Sequence, residues 1–408
     1  MGEISDAEIV IVGGGAIGCA IAYRLAEAGV TDVLLLEKNP ALASATTAQA
    51  AGLVGQVRSS PDRVRLAMDS VATFARLQRQ DATPDWRQVG SLRIALTDAR
   101  VEEFTRLVAT ARAAGLEVEW LDHAGAESRW PGLVARNAKA ILWCPSDGYL
   151  QPYNLAMAYR EQARAAGARF ATDVRVTGIT LHAGRVAAVE TDRGRVRCAR
   201  VINAAGAHAW HVARLAGLEL PIVPVRHEYV ITVPIGGLRP DLPTFRVPDA
   251  TLYGRPDVGA LLLGGWEPRG LACDPRDYEL SGEPPAIEPD WPVLANFAEL
   301  MAPLYPPVAS AGIRHAFCGW PTFTPDGRFI VGESRRVPGL VMAGGCNAHG
   351  VSGSAGIGRH VVEALLEPRP SAYVRSLSPD RFTETSWDWG EARRSAQAVY
   401  ETYYQIGH

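Results

Sequence analysis

The sequence predicts an α/β chain of mixed character. A doubly wound domain (residues 1–80, 145–220 and 325–375) is interleaved with a mixed β-sheet domain (81–144 and 221–324), and a C-terminal extension follows at 376–408. Three observations carry this. Residues 8–37 spell strand, glycine turn, helix and strand in immediate succession. The middle of the chain then switches between α/β texture and stretches rich in Pro, Trp and alternating β-pattern. Finally, GLVMAGG at 339–345 and SGSAGIGRHVVEALLE return to a buried strand and a glycine-rich helix start.

The first unit sets the pattern. EIVIVGGG reads as a buried strand entering a turn, AIGCAIAYRLAEAG as a helix ended by Gly29, and DVLLLE as a second strand. Gly13, Gly15 and Gly18 make GxGxxG, and Glu37 follows Gly18 by 19 residues. The first two glycines allow a tight turn and close approach to a pyrophosphate, the third lets helix pack on strand, and Glu37 can accept from a ribose. A dinucleotide site follows, with phosphates at the helix N-terminus. Further on, NLAMAYREQARAAGARF reads as a helix. Short strands follow it, with hairpin turns at Gly184 and Gly194. PVRHEYVITVPI and GALLLGGWE supply β-pattern for the second domain.

Composition narrows the function classes. With 408 residues, 47% apolar and 21% charged, the chain is long enough for two cored domains of an ordinary globular enzyme. A net charge of -3 gives no electrostatic case for nucleic acid. The start, MGEISDAEI, lacks a basic export region, no apolar run reaches spanning length, and six scattered cysteines form no CxxC, so a cytoplasmic protein with reduced thiols is expected. Three look-alike motifs fail. HEYVI lacks the second histidine of a zinc HExxH, His208 and His211 lack a third ligand, and in GVSGS Ser354 occupies the final glycine of GxSxG.

Taken in order, the Gly13–Gly18 turn, the small-residue run 44–53, INAAGAHAW, HEYV, FTPDGRFIVGE and GGCNAHGVSGSAGIG resemble the amine-oxidising flavoproteins of the D-amino-acid-oxidase superfamily. They are closest to the flavin module of dimethylglycine and sarcosine dehydrogenases. The resemblance implies FAD in the doubly wound, Rossmann-type domain. It assigns cofactor contacts to Gly13, Gly15, Ala16, Ile17 and Gly18, to Glu37 and Lys38, to Thr46, Thr47, Gln49, Ala51, Gly52 and Leu53, to Val174 and Gly206, and to Gly345, Asn347, His349, Gly350 and Val351. Small residues at 44–53 suit a run that passes a flat ring. Many dehydrogenases of the group carry a flavin-linked histidine where Gln49 stands; a carboxamide cannot form that bond, so non-covalent FAD is expected. Cys318, the alternative anchor, falls out of register with the related oxidases and reads as an inert buried thiol.

His227, in HEY, and Tyr253, in LYGR, match the family's active-site pair, with Tyr229 beside them. Oxidation needs an amine lone pair, which suits a weak base and a phenol. Arg58 and Arg314 fall near positions where relatives bind a substrate carboxylate, and His349 sits near the flavin's pyrimidine end. The helix after Gly350 can stabilise charge on reduced flavin. The resemblance therefore implies oxidation of the C–N bond of a small secondary or tertiary amine, such as an N-methylated amino acid, through an iminium that water hydrolyses. The alternatives are deamination of a primary amino acid, as in glycine or D-amino acid oxidases, and a flavin-bearing subunit of a heteromeric sarcosine-type oxidase. The electron acceptor is O2 or a separate carrier, and a partner subunit or homo-oligomer stays open. Of the two lysines, Lys38 is expected to point toward the adenosine end, and no motif ties Lys139 to the flavin. This favours a dehydrogenase, although an arginine or His349 could supply the charge that O2 reduction needs. The end, VYETYYQIGH, resembles the point where larger relatives pass into a folate module, so release of free formaldehyde is expected unless a partner supplies one.

Overall fold

The computed structural model describes residues 4–80 and 84–406. Its first layer is a six-stranded sheet in the order Ile330–Glu333, Leu340–Gly344, Arg200–Asn203, Ile9–Val12, Val33–Leu36, Arg169–Ala171. All neighbours are parallel except the first pair. No polar residue interrupts IVIV or VLLL, because alternate residues are buried on the two faces of the sheet. Ile9, Ile11, Val33 and Leu35 pack against the helices Ala16–Glu27, Pro152–Ala165 and Ser354–Leu366, while Val10, Val12, Leu34 and Leu36 pack against an antiparallel meander at Val176–His182, Arg185–Thr191 and Gly194–Arg197. A sheet covered on both faces reads as a continuous apolar run.

The second layer is an eight-stranded sheet ordered Ile313–Gly319, His227–Thr232, Ala260–Gly265, Leu252–Asp257, Thr244–Val247, Ser91–Ala95, Ala140–Cys144, Glu119–Leu121. One face carries Leu92, Ile94, Phe245, Leu252, Leu261 and Leu263 against the helix Trp291–Met301. The other face looks toward the first domain. Cross-strand register sets Arg93 beside Arg246, Arg246 beside Tyr253, and Tyr253 beside Gly264, so one row of this face is strongly polar. The segment read as an extension packs inward. Its helix Trp389–Glu401, capped by Asp388, buries Ala396 and Tyr400 against Val223, Val225, Trp266 and Phe323.

Candidate active site

Two communicating hollows lie between the layers. The larger, about 560 Å³, runs from Gly13 past Glu37, Lys38 and Val174 to Gly206, Thr46, Thr47 and Gln49; the smaller, about 200 Å³, continues from Gly15, Ala16, Ile17, Thr47 and Gln49 to His227, Tyr253, Trp266 and Tyr403. The turn at the head is built for close approach. Gly13 has φ +109°, and a Cβ there would sit 2.5 Å from the Ala204 carbonyl oxygen. Glu37 is already engaged: its two carboxylate oxygens accept from the Gly14 N–H (2.7 Å) and the Asn39 N–H (2.8 Å). The Ala16 N–H donates to Thr47 Oγ1 (3.0 Å), which ties the small-residue run to the helix start. Arg255, of LYGR, donates to the Ala51 carbonyl (2.7 Å) and so holds the same run against the second sheet. A long cleft with a glycine turn at one end, a carboxylate at the end of the second strand and small residues along it fits a dinucleotide.

The segment around 278–285 closes this cleft. His208 Nε2 meets the Gly282 carbonyl (3.1 Å), His211 Nε2 the Tyr278 carbonyl (2.7 Å), and Trp320 Nε1–H donates to the Pro285 carbonyl (2.9 Å). Lys38 donates to Gly282 O and pairs with Glu283 (2.6 Å), so it fastens the segment as well as lining the cleft.

At the far end Tyr253 and His227 form a close polar pair, Oη to Nε2 at 2.7 Å. Gly264 makes this possible: a Cβ there would overlap the Tyr253 hydroxyl. Burial, with Arg246 nearby, holds His227 down at about 4, so the ring is neutral at physiological pH. Burial also holds the Tyr253 phenol well above its ordinary range.

The same hollow is also cationic. Arg58 and Arg246 line the hollow, and among the described residues neither has a carboxylate within ion-pair distance. Arg58 donates to the Val57 carbonyl (3.0 Å) and Arg246 to Tyr404 Oη (3.0 Å). No Asp or Glu lines this hollow among the described residues. Burial and the neighbouring Arg246, Arg93 and Arg63 pull Arg58 down to about 10, which leaves it charged. Tyr403 is stacked on Trp266 (3.7 Å between centroids) and lies 3.1 Å from His349 Nε2. Burial pushes its phenol up, but Arg58, Arg246, Arg63 and Arg93 outweigh this and hold it below the usual tyrosine range.

Some residues expected from the sequence fall outside the hollows, and others lie where expected. Arg314 stands on the edge strand, over a third exposed, 3.5 Å from Asp257 and outside both hollows. Tyr229 stacks on Phe317 (5.2 Å) within an apolar cluster and does not line the cavity. His349 lines the smaller hollow and is held neutral there: burial, with Arg58 and Arg63 beside it, keeps it well below the ordinary histidine range, and Nδ1 meets the Asn347 carbonyl (2.7 Å). Lys139 pairs with Asp98 (3.1 Å) at the surface. Gly18, Gly345 and Asn347 shape the walls from behind; Asn347 Oδ1 accepts from the Thr324 N–H (3.1 Å). Cys318 borders the larger hollow, yet its thiol donates to Glu228 (3.5 Å) and is pushed up to about 12 by burial and Glu228, so it is no thiolate. Gly350 and Val351 line the smaller hollow together with Gln49, Ala51, Gly52 and Leu53. Arg246, Trp266, Tyr400 and Tyr403 were not anticipated; the alternation TFRV, which puts a lone arginine on the face opposite Phe245, was the available signal for the first.

The family model of FAD dependent oxidoreductases, DAO, matches residues 8–364. The chain belongs to this family. As a flavoprotein of this group it takes FAD, and the cleft supplies the fitting cradle. The chain is 33% identical over 375 residues to 4-methylaminobutanoate oxidase (formaldehyde-forming) of Paenarthrobacter nicotinovorans, covering 92% of this chain and 45% of that protein. It is 32% identical over 409 residues to mitochondrial sarcosine dehydrogenase of Mus musculus, covering 98% and 44%. The chain thus spans less than half the length of these relatives. In fold, the flavoprotein is similar to L-proline dehydrogenase of P. horikoshii, with a TM-score of 0.84, 23% identity, and 94% and 99% of the two chains covered. Among the described residues no helix is long and apolar enough to cross a membrane.

Proposed function

We propose that this flavoprotein oxidises the C–N bond of a small N-methylated amino acid, leaving an iminium that water hydrolyses. One observation carries the reading: among the described residues, two arginines without carboxylate partners and a neutral His227–Tyr253 pair line the same hollow, which no Asp or Glu borders. Arg58 and Arg246 are suited to hold the substrate carboxylate, since guanidinium–carboxylate bonds are charge-assisted and directional. The neutral histidine and phenol then face the amine, where a strong acid would keep it protonated and its lone pair unavailable. Bound FAD supplies the two-electron acceptor. A cation pair and a proton-accepting pair in one hollow select a carboxylate-bearing amine over an amine lacking an anion.

The test is anaerobic bleaching of the flavin by sarcosine, dimethylglycine and 4-methylaminobutanoate, compared with glycine, D-alanine and glycine betaine. Rapid bleaching by an N-methyl compound with formaldehyde released is expected. Bleaching by primary amino acids alone would replace demethylation with deamination. No bleaching by any of them would leave a flavin-bearing subunit.

A further inference from the structure

The His227–Tyr253 pair is one end of a longer chain of hydrogen bonds. His227 Nδ1 lies 3.3 Å from Tyr400 Oη, Tyr400 Oη donates to Glu267 Oε1 (3.2 Å), and Glu267 is held by Arg226 (2.5 Å), which also pairs with Asp290 (3.1 Å). Tyr400 and Glu267 are fully buried. Donor and acceptor roles along this chain follow from its far end. An ionised Glu267 can only accept, so the Tyr400 hydroxyl donates to it; the Tyr400 oxygen therefore accepts from His227 Nδ1–H; His227 Nε2 is left as the acceptor, and Tyr253 donates to it. Every hydrogen points the same way, from the cavity toward Glu267.

We propose that Tyr400 and Glu267 form a proton relay with Tyr253 and His227, which draws the proton from the substrate ammonium before oxidation. The inference rests on the amine reading above. In one concerted shift the ammonium N–H bond breaks and Tyr253 Oη gains that proton. Tyr253 passes its own to His227 Nε2, His227 passes Nδ1–H to Tyr400, and Tyr400 passes its own to Glu267. The products are a neutral amine and a protonated Glu267; no electrons move.

Charge placement favours this end point. A proton stopped on His227 would sit buried beside Arg246. At Glu267 it enters a cluster in which three carboxyls, Glu228, Glu267 and Asp290, share the single guanidinium of Arg226. Burial raises Glu267 above the ordinary carboxylate range against the pull of Arg226 and the Tyr400 hydroxyl, and burial and Glu267 push the neighbouring Glu228 up to about 7, so the cluster favours taking up a proton more than an exposed carboxylate does. Asp290 is partly exposed and gives the cluster an outlet to solvent.

Two measurements test the relay with Tyr400→Phe, which removes one oxygen, and Glu267→Gln, each checked for FAD content. The first is the pH dependence of anaerobic flavin reduction by the panel member that bleaches the wild type fastest. In both variants the acid limb should move up by about one pH unit or more, while the high-pH plateau, where the amine arrives unprotonated, stays within about threefold. A plateau that falls at every pH with the limb unmoved would make both residues structural supports and overturn the relay while leaving the amine reading intact; absence of bleaching in the wild type would overturn both. The second measurement needs no substrate: 15N NMR of histidine-labelled protein, with His227→Gln for assignment. His227 should carry its proton on Nδ1 in the wild type and lose that preference in Tyr400→Phe. A wild-type proton on Nε2 would reverse the chain's direction and refute the proposal.

Discussion

Single groups dominate the chemistry of the smaller hollow. His227→Ala and Tyr253→Phe should each slow flavin reduction about 10- to 1000-fold in stopped-flow, the range for one positioned proton-transfer group, with FAD content unchanged. Unchanged rates in both would assign the pair to packing. Arg246→Met, removing a guanidinium 3.0 Å from Tyr404 Oη, should raise KM for a carboxylate substrate about 10- to 100-fold, the equivalent of one charge-assisted hydrogen bond. A KM within twofold of wild type would refute carboxylate binding by Arg246. Gln49 bears on the cofactor linkage. Its amide lines both hollows and the nearby Cys318 is held as a thiol, so acid precipitation should leave yellow flavin in the supernatant. A yellow pellet would show a covalent bond.

At the scale of elements, the eight-stranded sheet sets the reacting groups by register. Tyr253 crosses Gly264 to reach His227, and Gly264→Ala puts a methyl into the phenol's place. Overpacking of this kind costs about 1–3 kcal/mol, so a drop in Tm of a few degrees together with slower reduction is expected. Normal reduction in this variant would show that the phenol has another path. The nucleotide-binding turn was legible because its requirement is local: a glycine tolerates φ +109° beneath a carbonyl wherever it occurs. The HEY and LYGR motifs were legible through resemblance. Arg246, Trp266, Tyr400 and Tyr403 were not, because their roles depend on which strands become neighbours and on the helix Trp389–Glu401 turning inward, which no short pattern encodes. Arg314 misled for the same reason, since its position on an edge strand is a property of sheet order.

For the whole molecule, the two sheets enclose histidines that stay uncharged. His227 is held at about 4 and His208, buried with Lys38 and His211 near it, at about 3. Unfolding releases both to near 6.5, so below that pH the unfolded chain binds more protons and stability falls as pH drops toward 4. Urea midpoints measured from pH 7.5 to 4.5 should decline below about 6.5, and a smaller decline in His227→Gln would identify that ring's share. A flat profile would show that the rings are already charged in the fold. Oxygen reactivity belongs to this scale as well. His349 is neutral and both lysines are paired with acids, but Arg58 and Arg246 remain charged beside the hollow. Stopped-flow reoxidation in air-saturated buffer should separate a rate near that of free reduced flavin, expected for a dehydrogenase, from one faster by about two orders of magnitude, which would assign the arginines a role in O2 reduction.

The fastened segment at 278–285 has a consequence for how the protein acquires its cofactor. With His208, His211, Lys38 and Trp320 all holding it across the cleft, FAD cannot enter or leave along that side without first breaking several bonds at once. Opening of the segment is then expected to limit both loading and release, which the fluorescence of flavin freed on dilution of the holoprotein would show as a slow phase; release as fast as mixing would show that the cofactor leaves by another side.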